Sequence, residues 1–149
     1  MAGERAVGEL ARKLGIKAGC RVAVLGAPEA FAATLGQLPD GVELSTVTTL
    51  SDFDAGKGGV LDVVVWFGTT LAGLRGVVQD APGVLTPAGG LWIGWPKRAS
   101  GIATEVDADV AREVARPAGL VDNKICAIDE SWSGIRFVLR RELRAAAKR

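Results

Sequence analysis

The chain has 149 residues, of which 48% are hydrophobic and 23% are charged, and this size fits one globular domain with a buried core. Its 18 basic and 17 acidic residues give a formal net charge of +1, too balanced for the broad cationic surface of a nucleic-acid-binding protein. The chain contains no histidine, which excludes Ser-His-Asp and Cys-His catalytic groups and every metal site with a histidine ligand.

No segment of the sequence is typical of a membrane protein or an exported one. The start, MAGERAVGELARKLGIKAG, lacks an apolar signal-peptide core, and no later segment approaches the roughly 20 apolar residues of a membrane-spanning helix. We therefore expect a cytoplasmic protein without membrane contact. Cys20 and Cys126 are far apart in sequence and match neither a zinc pair nor a disulfide framework, so we expect two reduced core residues.

The first part of the chain alternates helical and strand patterns. Apolar residues at helical spacing predict an N-terminal helix over residues 4–14, and a β-branched run predicts a strand over 21–25. The turn at Gly26 to Pro28 leads into a predicted helix over 29–35. A second strand is predicted within 40–47, followed by a loop or a single helical turn.

The middle of the chain contains the most apolar predicted strand. Residues 61–67, LDVVVWF, are almost continuously apolar, which is typical of a central parallel strand covered on both faces. A helix of about ten residues is predicted from Thr69 to about Gln79, with Thr69 or Thr70 as its N-cap. The segment LTPAGG then predicts a Pro and Gly-Gly turn leading into a strand over 91–95.

The last part of the chain predicts one helix, two strands and a basic tail. The helix covers residues 106–115, with Asp107 as its cap. The strands cover 124–129 and 135–140, and their closeness in sequence predicts antiparallel pairing. Residues 141–149 form a basic tail, helical or frayed.

These elements predict a single three-layer Rossmann-like α/β domain over residues 1–149. Its sheet is mostly parallel and has about six strands, with helices on both faces and the antiparallel C-terminal strand pair at one edge. The N-terminal helix segment, residues 1–15, and the tail from 141 flank this core.

Several segments resemble known families. The order of LGAPEAF, DVVVWF and LTPAGGLWIGW, followed by a helix and a closing strand pair, resembles the class I methyltransferases that use S-adenosylmethionine. In addition LGIKAG, RVAVLGAPEAF, GGLWIGWPKRASG and GLVDNKICAIDESWSGIRFVLRRE are similar to a family of short, uncharacterised bacterial proteins with a domain of unknown function. The second resemblance covers nearly the whole chain and implies no activity.

The sequence departs from the methyltransferase pattern at the cofactor. In that family a Gly-x-Gly-x-Gly-like turn follows the first strand and an acid near the second strand binds the ribose, whereas this chain has a single Gly26 before a proline and, as the nearest acid, Asp52. The family's third strand has no counterpart in the predicted elements. The resemblance implies S-adenosylmethionine as a possible cofactor, and the departures predict a methyltransferase-like domain that is not an active methyltransferase.

A candidate ligand site follows from the rule that open α/β sheets bind ligands at the carboxyl ends of their parallel strands. If the strand over 124–129 is parallel, as the methyltransferase resemblance implies, the residues after it join the same edge. The expected ligand-binding residues are Gly26, Pro28, Glu29, Phe67, Thr69, Trp95, Lys97, Arg98, Ser100, Glu130 and Trp132.

Lys97 and Asp129 are the candidate catalytic residues. Lys97 and Arg98 are suited to bind an anionic ligand, and the alternative is a solvated loop. Asp129 and Glu130 are suited to acid-base chemistry or to holding a cation, but as consecutive strand residues only one faces the cleft. The alternative is a hairpin turn in which they pair with Arg136 or Arg140. The arrangement that we expect is Asp129 paired with Lys97; no metal-ligand set is predicted.

The tryptophans leave two interpretations open. Trp95 and Trp132, at strand ends, either stack on a planar ligand or form the rim of the core, while Trp66 and Trp92 are expected in the core or an interface.

The sequence therefore leaves three functional hypotheses. The first is a small-ligand-binding domain with an altered cofactor site. The second is a non-catalytic module that binds a protein partner or a second copy of itself, and the third is an S-adenosylmethionine-dependent methyltransferase.

Overall fold

The computed structural model describes residues 7–53 and 60–147 of the chain. Within these ranges six strands form one sheet and five helices pack around it. The strands are β1 (Arg21–Leu25), β2 (Glu43–Val47), β3 (Leu61–Phe67), β4 (Leu85–Pro96), β5 (Leu120–Ala127) and β6 (Trp132–Leu139). The helices are α1 (Glu9–Lys13), α2 (Phe31–Leu35), α3 (Leu71–Val84), α4 (Ala108–Ala115) and α5 (Arg141–Ala147). The predicted α/β class and strand number are confirmed.

The sheet is parallel except for its C-terminal strand. The strand order is β2-β1-β3-β4-β6-β5, and β1 to β4 pair in parallel. β6 lies antiparallel between β4 and β5, so β5 runs in the same direction as the first four strands. The antiparallel pairing of the two last strands was predicted, and the carboxyl ends of β3, β4 and β5 meet at one edge of the sheet.

The core occupies both faces of the sheet because the central strand is apolar on both. Val63, Val65 and Phe67 of β3 point toward the side that holds α1 and α2. Val64 and Trp66 point toward the side that holds α3 and α4. This alternation gives the predicted three layers.

Trp92 fixes α1 to the sheet. Its side chain is 0% exposed, and its indole N–H donates to the Leu14 carbonyl just after α1, at 3.0 Å. Trp95 packs on the opposite face of the same strand. Trp92 and Trp95 thus lie on opposite faces of β4, since residues an odd number apart alternate across a strand.

The Gly-Gly segment is a part of β4 and not a turn before it. The strand begins at Leu85, six residues earlier than the predicted 91–95. Gly89 lies so close to β3 that a Cβ there would be 3.0 Å from the Leu61 carbonyl oxygen, and the pairing of β3 with β4 shifts register at this point. Glycine is therefore needed here for close contact between strands rather than for a reversal of the chain.

Other boundaries also differ from the sequence expectation. α3 continues to Val84, past Pro82, because Ala81 and Val84 are buried in the core; Thr70 caps the helix by accepting the Gly73 N–H at 3.1 Å. The two last strands begin and end earlier than predicted. Lys124, expected at the start of its strand, lies in the middle of β5 beside a register shift.

Helices lie near both ends of the described chain. The N-terminal helix is shorter than predicted, Glu9–Lys13, and residues 4–6 of the predicted helix lie outside the described residues. The tail forms α5.

Cys20 and Cys126 are free and half-buried, and burial raises the pKa of the Cys126 thiol.

β2 is an exposed edge strand. Its residues are mostly exposed on both faces, and Leu44 is 38% exposed. In the described part of the chain no strand pairs with its outer side, and a single helical turn, Leu50–Asp52, follows it as predicted. None of the helices in the described ranges combines the length and apolar character needed to cross a membrane.

Replacement of Asp107 tests the predicted cap of α4. The Asp107 carboxylate accepts the Val110 N–H at 2.9 Å, so Asp107→Ala should lower the free energy of unfolding by about 1 kcal/mol in urea denaturation. Glu113→Ala, an exposed site within the same helix, is the control and should leave stability within about 0.5 kcal/mol. Equal losses in the two variants would contradict the capping role.

Candidate functional site

Lys97 joins the loop after β4 to the turn between β5 and β6. Its main-chain N–H donates to the Ser131 carbonyl at 2.7 Å, and its Nζ donates to the Asp129 carbonyl at 2.6 Å. The expected Lys97–Asp129 contact is thus present, but it uses the main chain of Asp129 and not the carboxylate. Lys97 holds two loops together at the edge where the strands end.

The Asp129 carboxylate shapes its own turn. It accepts the N–H groups of Ser131 and Trp132, at 2.7 and 2.8 Å. These bonds close the turn early, which is why β6 starts at Trp132. Among the described residues neither Asp129 nor Glu130 forms an ion pair with Arg136 or Arg140. The turn expected as the alternative is therefore present, but without those pairs.

Aromatic side chains fill the strand ends on the side of α1 and α2. The Phe67 ring packs edge to face on Phe31, with centroids 4.9 Å apart, and on Trp132, with centroids 5.4 Å apart. Phe67 is only 3% exposed. Ile128 packs over Gly94, within 3.3 Å of where a Cβ would stand. The expected lining residues Phe67 and Trp132 therefore contact each other.

On the opposite side of the sheet, little space is left at the ends of β1, β2 and β3. The Trp66 indole lies against Gly68 and Gly73, and the cavity beside it, lined also by Thr48 and Thr49, measures about 180 Å³. That volume is below the range of roughly 300–1,000 Å³ usual for ligand pockets.

The turn after β1 is tightly packed. Gly26 has φ +68°, and a Cβ there would lie 2.6 Å from the Phe67 carbonyl oxygen. Glycine is therefore required at position 26, because a side chain there would collide with the backbone of β3. Pro28 is half-buried, and its carbonyl accepts the Phe31 N–H, while Glu29 is exposed.

A larger cleft opens after β4, beside the loop over residues 97–107. It has a volume of about 480 Å³ and is walled by Trp95 and Pro96 at the end of the strand and by Arg98, Ile102, Glu105 and Asp107 on the loop. We call it the β4 cleft. It contains two of the expected ligand-binding residues, Trp95 and Arg98.

Hydrogen bonds fix the loop that forms the β4 cleft. The Ser100 hydroxyl donates to the Lys97 carbonyl at 2.7 Å and accepts the Ile102 N–H at 3.1 Å. At the far end, the Thr69 carbonyl accepts the Glu105 N–H at 2.8 Å. Ser100 and Thr69, both expected to bind ligand, thus shape the wall of the cleft.

The two carboxylates of the β4 cleft accept hydrogen bonds from the protein, whereas its cation has no carboxylate partner among the described residues. The Glu105 carboxylate accepts the Leu71 N–H at the start of α3, at 2.8 Å, and Asp107 caps α4. Arg98 is exposed, and no carboxylate of the described residues lies within 4 Å of its guanidinium. The cation is therefore available to a ligand, while both carboxylates already stabilise helices.

Sequence reasoning missed Glu105. Its partner Leu71 is 34 residues away, and no local pattern indicates such a bond. Asp107 was predicted as a cap but not as a cleft residue, because the cap signal is local and the position of the cleft depends on the tertiary fold. In the part of the chain that is described, no group of three or more Cys, Asp or Glu side chains is placed to hold a metal ion.

A second depression adjoins the β4 cleft, with which it shares Glu105. A groove of about 660 Å³ runs between α3 and α4 on the outer surface, with Arg75 and Gln79 on one wall and Val110 and Glu113 on the other. We call it the α3–α4 groove.

Separate replacements of Lys97 and Arg98 test whether Lys97 stabilises the fold and Arg98 does not. Because Lys97→Met removes a charge-assisted hydrogen bond to the partly buried Asp129 carbonyl, unfolding in urea should show a loss of about 1 to 2 kcal/mol. Arg98→Met, one residue on and exposed, should stay within about 0.5 kcal/mol. If both variants are as stable as the parent protein, the hydrogen bond from Lys97 to the Asp129 carbonyl does not stabilise the fold.

Solved structures with this fold are methyltransferase-like. Fibrillarin from Aeropyrum pernix, solved with natively bound S-adenosyl-L-methionine, is 16% identical with a TM-score of 0.58, over 87% of this chain and 73% of that one. The Methanococcus jannaschii fibrillarin pre-rRNA processing protein is 13% identical with a TM-score of 0.57, over 84% and 68% of the two chains. A TehB-like S-adenosylmethionine-dependent methyltransferase from Corynebacterium glutamicum is 15% identical with a TM-score of 0.54, over 93% and 91%. At these identities the likeness shows the fold alone.

Sequence comparison gives the family. No curated protein sequence matches the chain. Residues 11–141 match the family described as protein of unknown function, DUF3052. The match spans most of the chain, which agrees with the resemblance to short uncharacterised proteins. The chain belongs to the DUF3052 family.

Proposed function

We propose that this protein is a small-ligand-binding domain of the methyltransferase-like fold that binds its ligand in the β4 cleft and does not transfer methyl groups. The observation that carries the proposal is the β4 cleft itself, about 480 Å³ in volume, with the uncommitted Arg98 guanidinium at its wall. That volume falls within the usual range for small-molecule pockets.

Three features argue against S-adenosylmethionine as the ligand. The space beside the ends of β1, β2 and β3 is about 180 Å³. Trp66 and Phe67 occupy both sides of the end of β3. Where the methyltransferases carry a ribose-binding acid, β2 runs into Thr48 and Thr49.

The walls of the β4 cleft indicate the ligand class. The half-buried Trp95 offers an indole against which a flat group can pack, and Arg98 offers a planar cation suited to carboxylate or phosphate. A planar molecule with one acidic group satisfies both. Glu105 and Asp107 disfavour a larger polyanion.

Thermal shift measurements test the proposal with defined probes. The panel is S-adenosylmethionine, S-adenosylhomocysteine, adenosine monophosphate and acetyl-coenzyme A. We expect no shift with the first two. A shift of several degrees is expected with adenosine monophosphate, because ligand at about 100 times its Kd stabilises by about 2.7 kcal/mol. Arg98→Gln should remove this shift, and Arg75→Gln, on the outer surface of α3, should retain it.

Two results would contradict the proposal. A flat response to all four compounds would overturn binding of this ligand class. A shift with S-adenosylmethionine, together with transfer of its labelled methyl group to an acceptor, would establish the methyltransferase alternative.

The α3–α4 groove supports a second candidate, a non-catalytic interaction module. Its walls combine apolar side chains such as Val110 with Arg75 and Glu113, a mixture usual in protein interfaces. Trp66 and Trp92 are buried and do not serve as interface anchors. If a Val110→Glu variant lowers the mass measured by light scattering, self-association through the groove is supported; a monomer in both forms opposes it.

A further inference from the structure

Two cations face each other across the last two strands. In the pairing of β5 with β6, Lys124 stands directly opposite Arg136, on the same face of the sheet as Trp92. Like charges placed directly opposite on a sheet are destabilising. No ion pair within 4 Å relieves either of them among the residues described.

The guanidinium of Arg136 lies against the backbone of Gly90. A Cβ at Gly90 would stand 2.7 Å from Cζ and 2.8 Å from Nη2 of Arg136. Any side chain at position 90 would displace this end of the Arg136 side chain. The cation is half-buried and lies against the sheet.

The donors of this guanidinium are largely uncommitted. Nη1 donates to the Asn123 side-chain oxygen at a long 3.4 Å. No buried side-chain nitrogen or oxygen of the described residues lacks a partner, so the other N–H groups reach solvent. Burial and the positive charge of Arg144 lower the pKa of Arg136.

The neighbouring groups are also cationic. Lys124 donates from Nζ to the Lys13 carbonyl at the end of α1, at 2.9 Å, and Arg144 donates from Nε to the Leu139 carbonyl at 2.8 Å. Glu9 reaches Lys13 at 3.7 Å and is 86% exposed, so it does not neutralise the pair on the strands. Lys124 and Arg136 therefore lie together on one face of the β5–β6 pair, and the charge of Arg144 is close enough to act on Arg136.

We propose that Arg136, with Lys124 and Arg144, forms a second ligand site, which binds the phosphate group of a small phosphorylated molecule. A dianionic phosphate would relieve the repulsion between Lys124 and Arg136, and the planar guanidinium backed by Gly90 matches two phosphate oxygens. The site lies on the face that carries α1, whereas the β4 cleft opens among α3, α4 and the loop after β4. It is independent of the function proposed for that cleft.

An NMR titration with inorganic phosphate, at constant ionic strength, tests the site on the whole chain. In ¹H–¹⁵N spectra the amide signals of Gly90, Asn123 and Lys124 should shift and saturate. Arg136→Gln should weaken binding at least about tenfold, because it removes a charge-assisted hydrogen bond to the phosphate. Arg75→Gln removes the same charge from the opposite face of the sheet and should leave the affinity unchanged.

Gly90→Ala provides a variant that keeps every charge. It displaces the guanidinium and should weaken phosphate binding, and the spectrum itself reports whether the fold is retained. The proposal is overturned if the parent shows no saturable shift, if the shifts are confined to residues 97–107, or if Arg136→Gln and Arg75→Gln bind phosphate alike.

Discussion

The structure depends on the burial of β3 on both faces. A strand with apolar side chains on each side requires cover above and below, and the helices of both layers supply it. The same strand ends in Trp66 and Phe67, whose rings spread to opposite sides of the sheet edge. The residues that stabilise the centre of the domain therefore also occupy the edge at which open α/β sheets bind ligands.

Closure at β3 moves the accessible space to the end of β4. There Pro96 ends the strand. Lys97 and Thr69 hold the two ends of the next loop through hydrogen bonds with distant parts of the chain, and Ser100 forms hydrogen bonds within the loop. A loop fixed at both ends can hold an open cleft without a bound ligand. The chain has the architecture of the methyltransferase-like structures, and its β4 cleft lies beside the loop over residues 97–107.

Local signals in the sequence predicted the architecture well and the site only in part. The apolar run of β3, the caps Thr70 and Asp107, and the alternation of Trp92 and Trp95 depend on neighbouring residues, so a single sequence carries them. The Gly-Gly segment was misinterpreted because its contacts are with other strands: Gly89 lies against the backbone of β3, and Gly90 lies against Arg136 of β6. Glu105 was missed, and Lys97 was paired with the wrong group of Asp129, since both contacts are long-range.

The position of β6 between β4 and β5 has a consequence for the order of folding. In the described chain β5 pairs only with β6, and β6 pairs with β4. During synthesis, β5 emerges first but has no hydrogen-bonding neighbour in the sheet until β6 has followed it. Among the described strands, β5 therefore joins the sheet only together with β6 or after it.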